Sequence, residues 1–129
     1  MERRTKQRDA IVNAIVVAAR PLSPHEILEA ASSEMAALSI ATVYRTLRVL
    51  LDEGSIDAIE LPGEPPRYEE AALGHHHHFK CTACDRVFDV KACQISMKTL
   101  VPPDFSVDRH ELTVYGLCGE CNRSRSRRT

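Results

Sequence analysis

The 129-residue chain reads as an α+β protein of two parts, and three observations predict it. Residues 5–53 repeat their apolar side chains at three-to-four spacing, interrupted at Pro21 and Pro24 and ended at Gly54. A hairpin pattern follows around Pro62-Gly63-Glu64-Pro65-Pro66. Beyond residue 70 the helical period gives way to short strands, and that stretch holds all five cysteines and five of the six histidines.

The first helix is expected over Thr5–Ala19, where Ala10, Ile11, Ala14, Ile15 and Ala18 share one face before Pro21 stops it. Ser23-Pro24-His25-Glu26 opens a second helix. It combines a capping box with proline at the first helical position, and Ile27, Leu28 and Ala31 supply a short apolar face. The third helix runs from Ile40 to Glu53 and ends at Gly54, a left-handed cap. Its core face is Val43, Leu47, Leu50 and Leu51, which leaves Thr42, Tyr44, Arg45, Thr46 and Arg48 outward. Ile56–Leu61 reads as a strand, and Arg67-Tyr68-Glu69 returns after the proline-rich turn.

Three short helices and a two-stranded hairpin are the element order of a winged helix-turn-helix, in which the third helix enters the DNA major groove. Arginine reads guanine bidentately and a ring packs on a thymine methyl, so Tyr44 and Arg45 suit that helix. A solvated helix face would show the same residues. Residues 1–70 carry eight Lys/Arg against twelve Asp/Glu, so any nucleic-acid contact there relies on a local patch rather than a global field. Residues 71–129 carry nine against six.

The aromatic fraction is 5% and there is no tryptophan. A chain so poor in large core residues often needs a staple. Cys81/Cys84 and Cys118/Cys121 form two Cys-x-x-Cys pairs, together the donor set of a closed four-thiolate zinc site. Closed sites hold a fold and leave sensing to other groups. No apolar run approaches a membrane span and residues 1–8 lack the apolar stretch of a signal peptide. The expected location is cytoplasmic, where paired cysteines more often hold metal than form disulfides.

Strands are expected at His75–Lys80, Arg86–Val90, Phe105–Val107 and His110–Tyr115, with a helix over Ala92–Val101 ended by Pro102-Pro103. Side chains of a strand alternate faces, so His75 and His77 point one way and His76 and His78 the other. One histidine run can thus feed two metal sites. Arg123, Arg125, Arg127 and Arg128 place a basic, disordered tail over residues 123–129, solvated or in auxiliary phosphate contact.

Ala41-Thr42-Val43-Tyr44-Arg45, Arg67-Tyr68-Glu69, the run from His75 to Cys84 and the ending from Arg109 to Cys121 closely resemble the ferric uptake regulator family. The likeness covers nearly the whole chain in order. It implies a homodimeric, metal-dependent bacterial transcription factor, usually a repressor of metal-homeostasis genes. Residues 1–70 would bind operator DNA, and residues 71–122 would form an α/β dimerisation domain that carries the metals. Cys81, Cys84, Cys118 and Cys121 match the structural zinc ligands. Glu69, His76 and His78 match regulatory ligands at the domain junction, with Asp89 a further carboxylate. His75, His77 and His110 match a second site, whose remaining Glu is replaced here by Cys93. The regulatory ion would be divalent iron, zinc, manganese or nickel. Arg4, Lys6, Arg8, Thr42, Tyr44, Arg45 and Arg48 would face DNA.

Two departures stand out against that resemblance. Pro21 occupies the place of a regulatory histidine and offers no donor. The junction site is then weaker, completed by water, or empty. Cys93 makes the second site softer, favouring zinc or another late transition metal, unless it is simply a small buried residue. A peroxide sensor of the same family, using iron-driven histidine oxidation, fits Asp89 but not Pro21. A zinc enzyme needs an open position and a general base, as in His-Glu-x-x-His, and that motif is absent. A zinc-ribbon module would explain the cysteines but not the helices, hairpin or histidines.

Overall fold

The computed structural model describes residues 2–71, 76–90 and 96–128. His75 and Cys93 therefore lie outside the described residues. The chain divides into two compact units, Met1–Leu73 and Gly74–Thr129.

The first unit holds α1 (Glu2–Ala18), α2 (Pro24–Ala31), α3 (Ile40–Glu53), β1 (Ile56–Ile59) and β2 (Arg67–Glu70). Helix α1 begins three residues earlier than expected and ends with Ala19 in the left-handed region at φ 53°. The capping box of α2 is formed: Glu26 N–H donates to Ser23 Oγ at 3.2 Å and Ser23 N–H donates to Glu26 Oε1 at 2.9 Å. Both bonds satisfy helix-end donors that would otherwise go unpaired. Helix α3 starts on a second cap, Ser39, whose Oγ accepts from Thr42 N–H at 3.2 Å. It stops at Gly54, φ 77°, a conformation that costs glycine nothing.

Ile11, Ile15, Ile27, Val43, Leu47, Leu50 and Ile56 form one core between the three helices and β1. Leu51, expected to belong to that face, is 36% exposed. It follows Leu50 by one residue, about 100° around the helix, and the core stripe of α3 is only wide enough for the 43/47/50 row. Strands β1 and β2 pair antiparallel with Ile59 opposite Arg67 and Ile56 opposite Glu70. Leu22 adds a third rung through reciprocal backbone bonds with Tyr68 of 2.9 and 2.8 Å. The buried Arg67 meets Glu26 at 3.2 Å, and Arg20 meets the same carboxylate at 3.0 Å. One glutamate thus caps α2 and ties the hairpin to it.

The second unit holds β3 (His77–Cys81), β4 (Val87–Val90), the short α4 (Met97–Leu100), β5 (Thr113–Gly116) and α5 (Gly119–Arg128). The sheet order is β4-β3-β5, with β3 antiparallel to β4 and parallel to β5. Three expectations need correction. Phe105–Val107 is not a strand: Phe105 N–H closes a turn onto Pro102 O at 3.0 Å, and the segment has no ladder partner among the described residues. Of the helix expected over Ala92–Val101, Met97–Leu100 is helical while Ser96 and Val101 are extended, and 92–95 lie outside the described residues. The basic end is not a disordered tail. It continues α5 to Arg128, because the second cysteine pair begins that helix, with Asn122 N–H donating to Cys118 O at 2.8 Å and Glu120 favourably placed in the first turn.

Leu47→Ala should lower unfolding free energy by about 2–5 kcal/mol through the cavity it opens. Leu51→Ala should cost well under half as much. Urea unfolding of both variants checks the contrast, and equal losses would return Leu51 to the core.

Candidate metal centres and the face of the third helix

The first cysteine pair lies where β3 turns into β4. Cys81 N–H donates to Arg86 O at 3.0 Å and Asp85 N–H to Cys81 O at 3.0 Å, with Asp85 left-handed at φ 69°. That knuckle aims two backbone amides at one sulfur: Cys118 and Cys84 N–H each lie 3.4 Å from Cys81 Sγ. The second pair, Cys118 and Cys121, frames the start of α5. The four sulfurs lie within 4.8 Å of one another, and Cys84 and Cys118 are 3.9 Å apart. A tetrahedron with metal–sulfur bonds of about 2.3 Å has edges of about 3.8 Å, so the donor set fits one ion.

Electrostatics agree. The backbone donation from Cys118, then Cys84, pulls the Cys81 thiol down to about 6. Hydrogen bonding to the sulfurs of Cys118 and Cys81 pushes Cys121 up to about 12. A group of thiols with one member readily ionised and another held protonated is one that a cation would resolve. Arg86, which sequence reasoning missed, donates from Nε to Cys84 Sγ at 3.1 Å and pairs with Glu120 at 2.8 Å. The only available signals were charged residues two places after Cys84 and inside the second Cys-x-x-Cys.

The histidine run divides by face. His76 Nε2 and His78 Nε2 lie 3.3 and 3.4 Å from Asp89 Oδ1, and Asp89 stands opposite His78 in the β3–β4 register. These two imidazoles and one carboxylate lie within 4.8 Å of one another, all part-buried. His77 points the other way, into a tilted ring contact with His110 at 4.8 Å, and its Nδ1 accepts from Leu112 N–H at 3.2 Å. In the neutral ring the proton then sits on Nε2. His75 and Cys93, the expected companions of His77 and His110, lie outside the described residues. Glu69, in β2 of the first unit, is 2% exposed. Pro21 is buried and carries no donor group.

On α3, Tyr44 is 52% exposed and Arg45 and Arg48 are also exposed. Arg45 donates to Thr42 Oγ1 at 3.0 Å, and that hydroxyl lies 3.0 Å from Ser39 Oγ. On α1, Lys6 is exposed, whereas Arg8 makes a bidentate pair with Glu53 at 2.9 and 2.5 Å. Of Arg4 only the backbone of α1 is described.

Helices with a hairpin in one unit, and thiol and imidazole clusters on a sheet in the other, define a metal-binding α+β protein. The chain belongs to the ferric uptake regulator family, whose profile matches residues 2–115. The family is one of metal-dependent transcription regulators. A ferric uptake regulation protein of Synechococcus elongatus is 29% identical over 128 residues, covering 95% of this chain and 87% of that one. A peroxide-responsive repressor, PerR, of Staphylococcus saprophyticus is 31% identical over 121 residues, covering 91% and 80%. Among solved structures, the Helicobacter pylori ferric uptake regulator, described as having three functional metal-binding sites, superposes with a TM-score of 0.65 at 27% identity, covering 91% of this chain and 80% of that one. A zinc-bound manganese uptake regulator shares the fold with a TM-score of 0.78 at 24% identity, covering 87% of each chain. Among the described residues no helix is long and apolar enough to cross a membrane.

Stripping metal with a strong chelator should melt the second unit while the first keeps its helices. Amide hydrogen exchange checks this: protection should vanish from β3–β5 and persist in α1–α3. Protection retained throughout would show that the thiol cluster is dispensable to the fold.

Proposed function

We propose that the chain is a metal-responsive, homodimeric repressor of metal-homeostasis genes, with a winged helix-turn-helix in residues 1–70 and a metal-binding dimerisation domain in residues 71–122. The single observation that carries the reading is the convergence of His76, just before β3, with His78 of β3 and Asp89 of β4, away from the side on which His77 meets His110. Two imidazoles and a carboxylate are an incomplete but well-suited donor set for a divalent transition metal. Glu69, buried at the end of the hairpin, is the proposed fourth ligand. Bound there, the ion supplies the charge that draws donors of the two units together.

Each group then has a role. Cys81, Cys84, Cys118 and Cys121 hold a structural zinc. Glu69 links the hairpin to the histidine face, so binding selects one orientation of the paired α3 helices. Only an orientation matching half-sites about one helical turn apart binds tightly, and metal and operator affinities are therefore reciprocally coupled. Tyr44, Arg45, Arg48 and Thr42 read the groove, with the Thr42 hydroxyl steering Arg45. Lys6, Arg4 and Arg8 approach the backbone. For Arg8 this requires exchanging Glu53 for phosphate, a small loss for an exposed pair. Dimerisation is supported by the exposed apolar side chains Phe105, Val114 and Tyr115 and by the position of β5 at the sheet edge.

Glu69→Ala combined with His76→Ala should abolish metal-stimulated operator binding while leaving the fold and one tightly held zinc. A double variant that still responds to metal would move the switch to the His77/His110 side. Val114→Asp with Tyr115→Asp should shift the protein to monomer in sedimentation. An unchanged mass would remove β5 from the interface.

A peroxide-sensing role is the second reading, favoured by the Asp89 carboxylate beside both imidazoles. Mass spectrometry of the iron-loaded protein after mild peroxide would then find an added oxygen on His76 or His78. Unmodified histidines would exclude it.

A further inference from the structure

The Arg86 guanidinium bridges the two cysteine knuckles. Its Nε donates to Cys84 Sγ at 3.1 Å, in the first Cys-x-x-Cys, and its NH2 group meets Glu120 at 2.8 Å, inside the second. The same guanidinium carbon lies 5.9 Å from the centre of the Phe88 ring, over its face. Three contacts from one planar fork fix its orientation, which a flexible amine could not reproduce. The two knuckles are 34 residues apart in the chain, and this bridge adds a charged side-chain link to the bonds that Thr82 makes to Gly116 O at 2.7 and 3.2 Å.

We propose that Arg86 is a positioning residue for the four-cysteine centre: it pins the second knuckle against the first and offsets thiolate charge at Cys84, and so sets how firmly the centre holds zinc. The inference rests on the reading of this cluster as a zinc site. Four thiolates around a divalent cation leave a net charge of about −2. Cys81 takes the Cys84 and Cys118 amides to share that charge, whereas Cys84 draws on one residue for both, the backbone N–H and the charged side chain of Arg86. A charge-assisted bond of this kind lowers the donor strength of one sulfur while it locks the geometry of all four. Arg86 is thus the one side chain that joins thiolate, opposite knuckle and sheet among the described residues.

The test compares full-length wild type with Arg86→Gln, Arg86→Lys and Glu120→Gln. Zinc transfer to a chromophoric chelator and the spectrum of the cobalt-substituted protein are the readouts. Arg86→Gln should retain zinc about 10- to 100-fold less well. Its thiolate-to-cobalt charge-transfer band should move to lower energy, because the sulfur has lost its donor. Arg86→Lys should recover part of the retention but not the band position, since one amine cannot serve both Cys84 and Glu120. Glu120→Gln should leave the band in place and weaken retention only modestly. Wild-type retention and band position in both Arg86 variants would overturn the proposal. Should Arg86→Gln fail to take up metal at all, Arg86→Lys decides, a displaced band supporting the proposal and an unmoved one sinking it. Wild type without a bound zinc would instead refute the underlying site.

Discussion

Four sulfurs meet at one point in the second unit, and we propose that its fold depends on them. Its buried residues among those described are few: Cys81, Val87, Cys118 and His77, of which only Cys81 and Val87 are fully buried. The large apolar core, from Ala10 to Ile56, lies wholly in the first unit. A three-stranded sheet with so little apolar burial lacks the usual offset to chain entropy, and an ion held by Cys81, Cys84, Cys118 and Cys121 would supply a different one. Cys81 ends β3 and Cys118 precedes α5, so the thiol cluster sits on the same strand as His77 and His78.

From that fixed strand, pleating does the rest. His76 and His78 reach Asp89, while His77 turns to His110 and accepts from Leu112. One run of identical residues is thereby given two unlike environments, one with a carboxylate and one tied into backbone hydrogen bonding. The first can gather further donors around a cation. The second, with Nδ1 engaged by an amide, is more committed to structure, which bears on which face acts as a switch.

Much of this could be read from the residues because the responsible forces are local. The capping box at Ser23 and Glu26, the left-handed Gly54 and the face alternation of the histidine run each depend on a few neighbouring positions. Spacing in the two cysteine pairs likewise carries its own geometry. What escaped reading depends on partners distant in sequence. Leu51 is apolar in sequence yet falls outside a stripe set by how α1 and α2 approach α3. Phe105–Val107 has strand composition and no strand beside it. The bridge from Arg86 to Glu120 spans 34 positions, and Arg67 with Glu26 spans 41. The arginine-rich end is polar enough to read as a tail, but starting inside a cysteine knuckle makes it a helix.

We propose that scaffold and switch are separate: four cysteines hold the fold and the His76/His78/Asp89 face governs DNA binding. The most direct measurement starts from protein carrying one zinc per chain and adds a second divalent metal while operator binding is followed by anisotropy. Binding should be weak at the outset and rise with occupancy of the second ion, with iron, manganese, zinc and nickel differing in the concentration required. Full operator affinity at one zinc per chain, unchanged by any added metal, would contradict it.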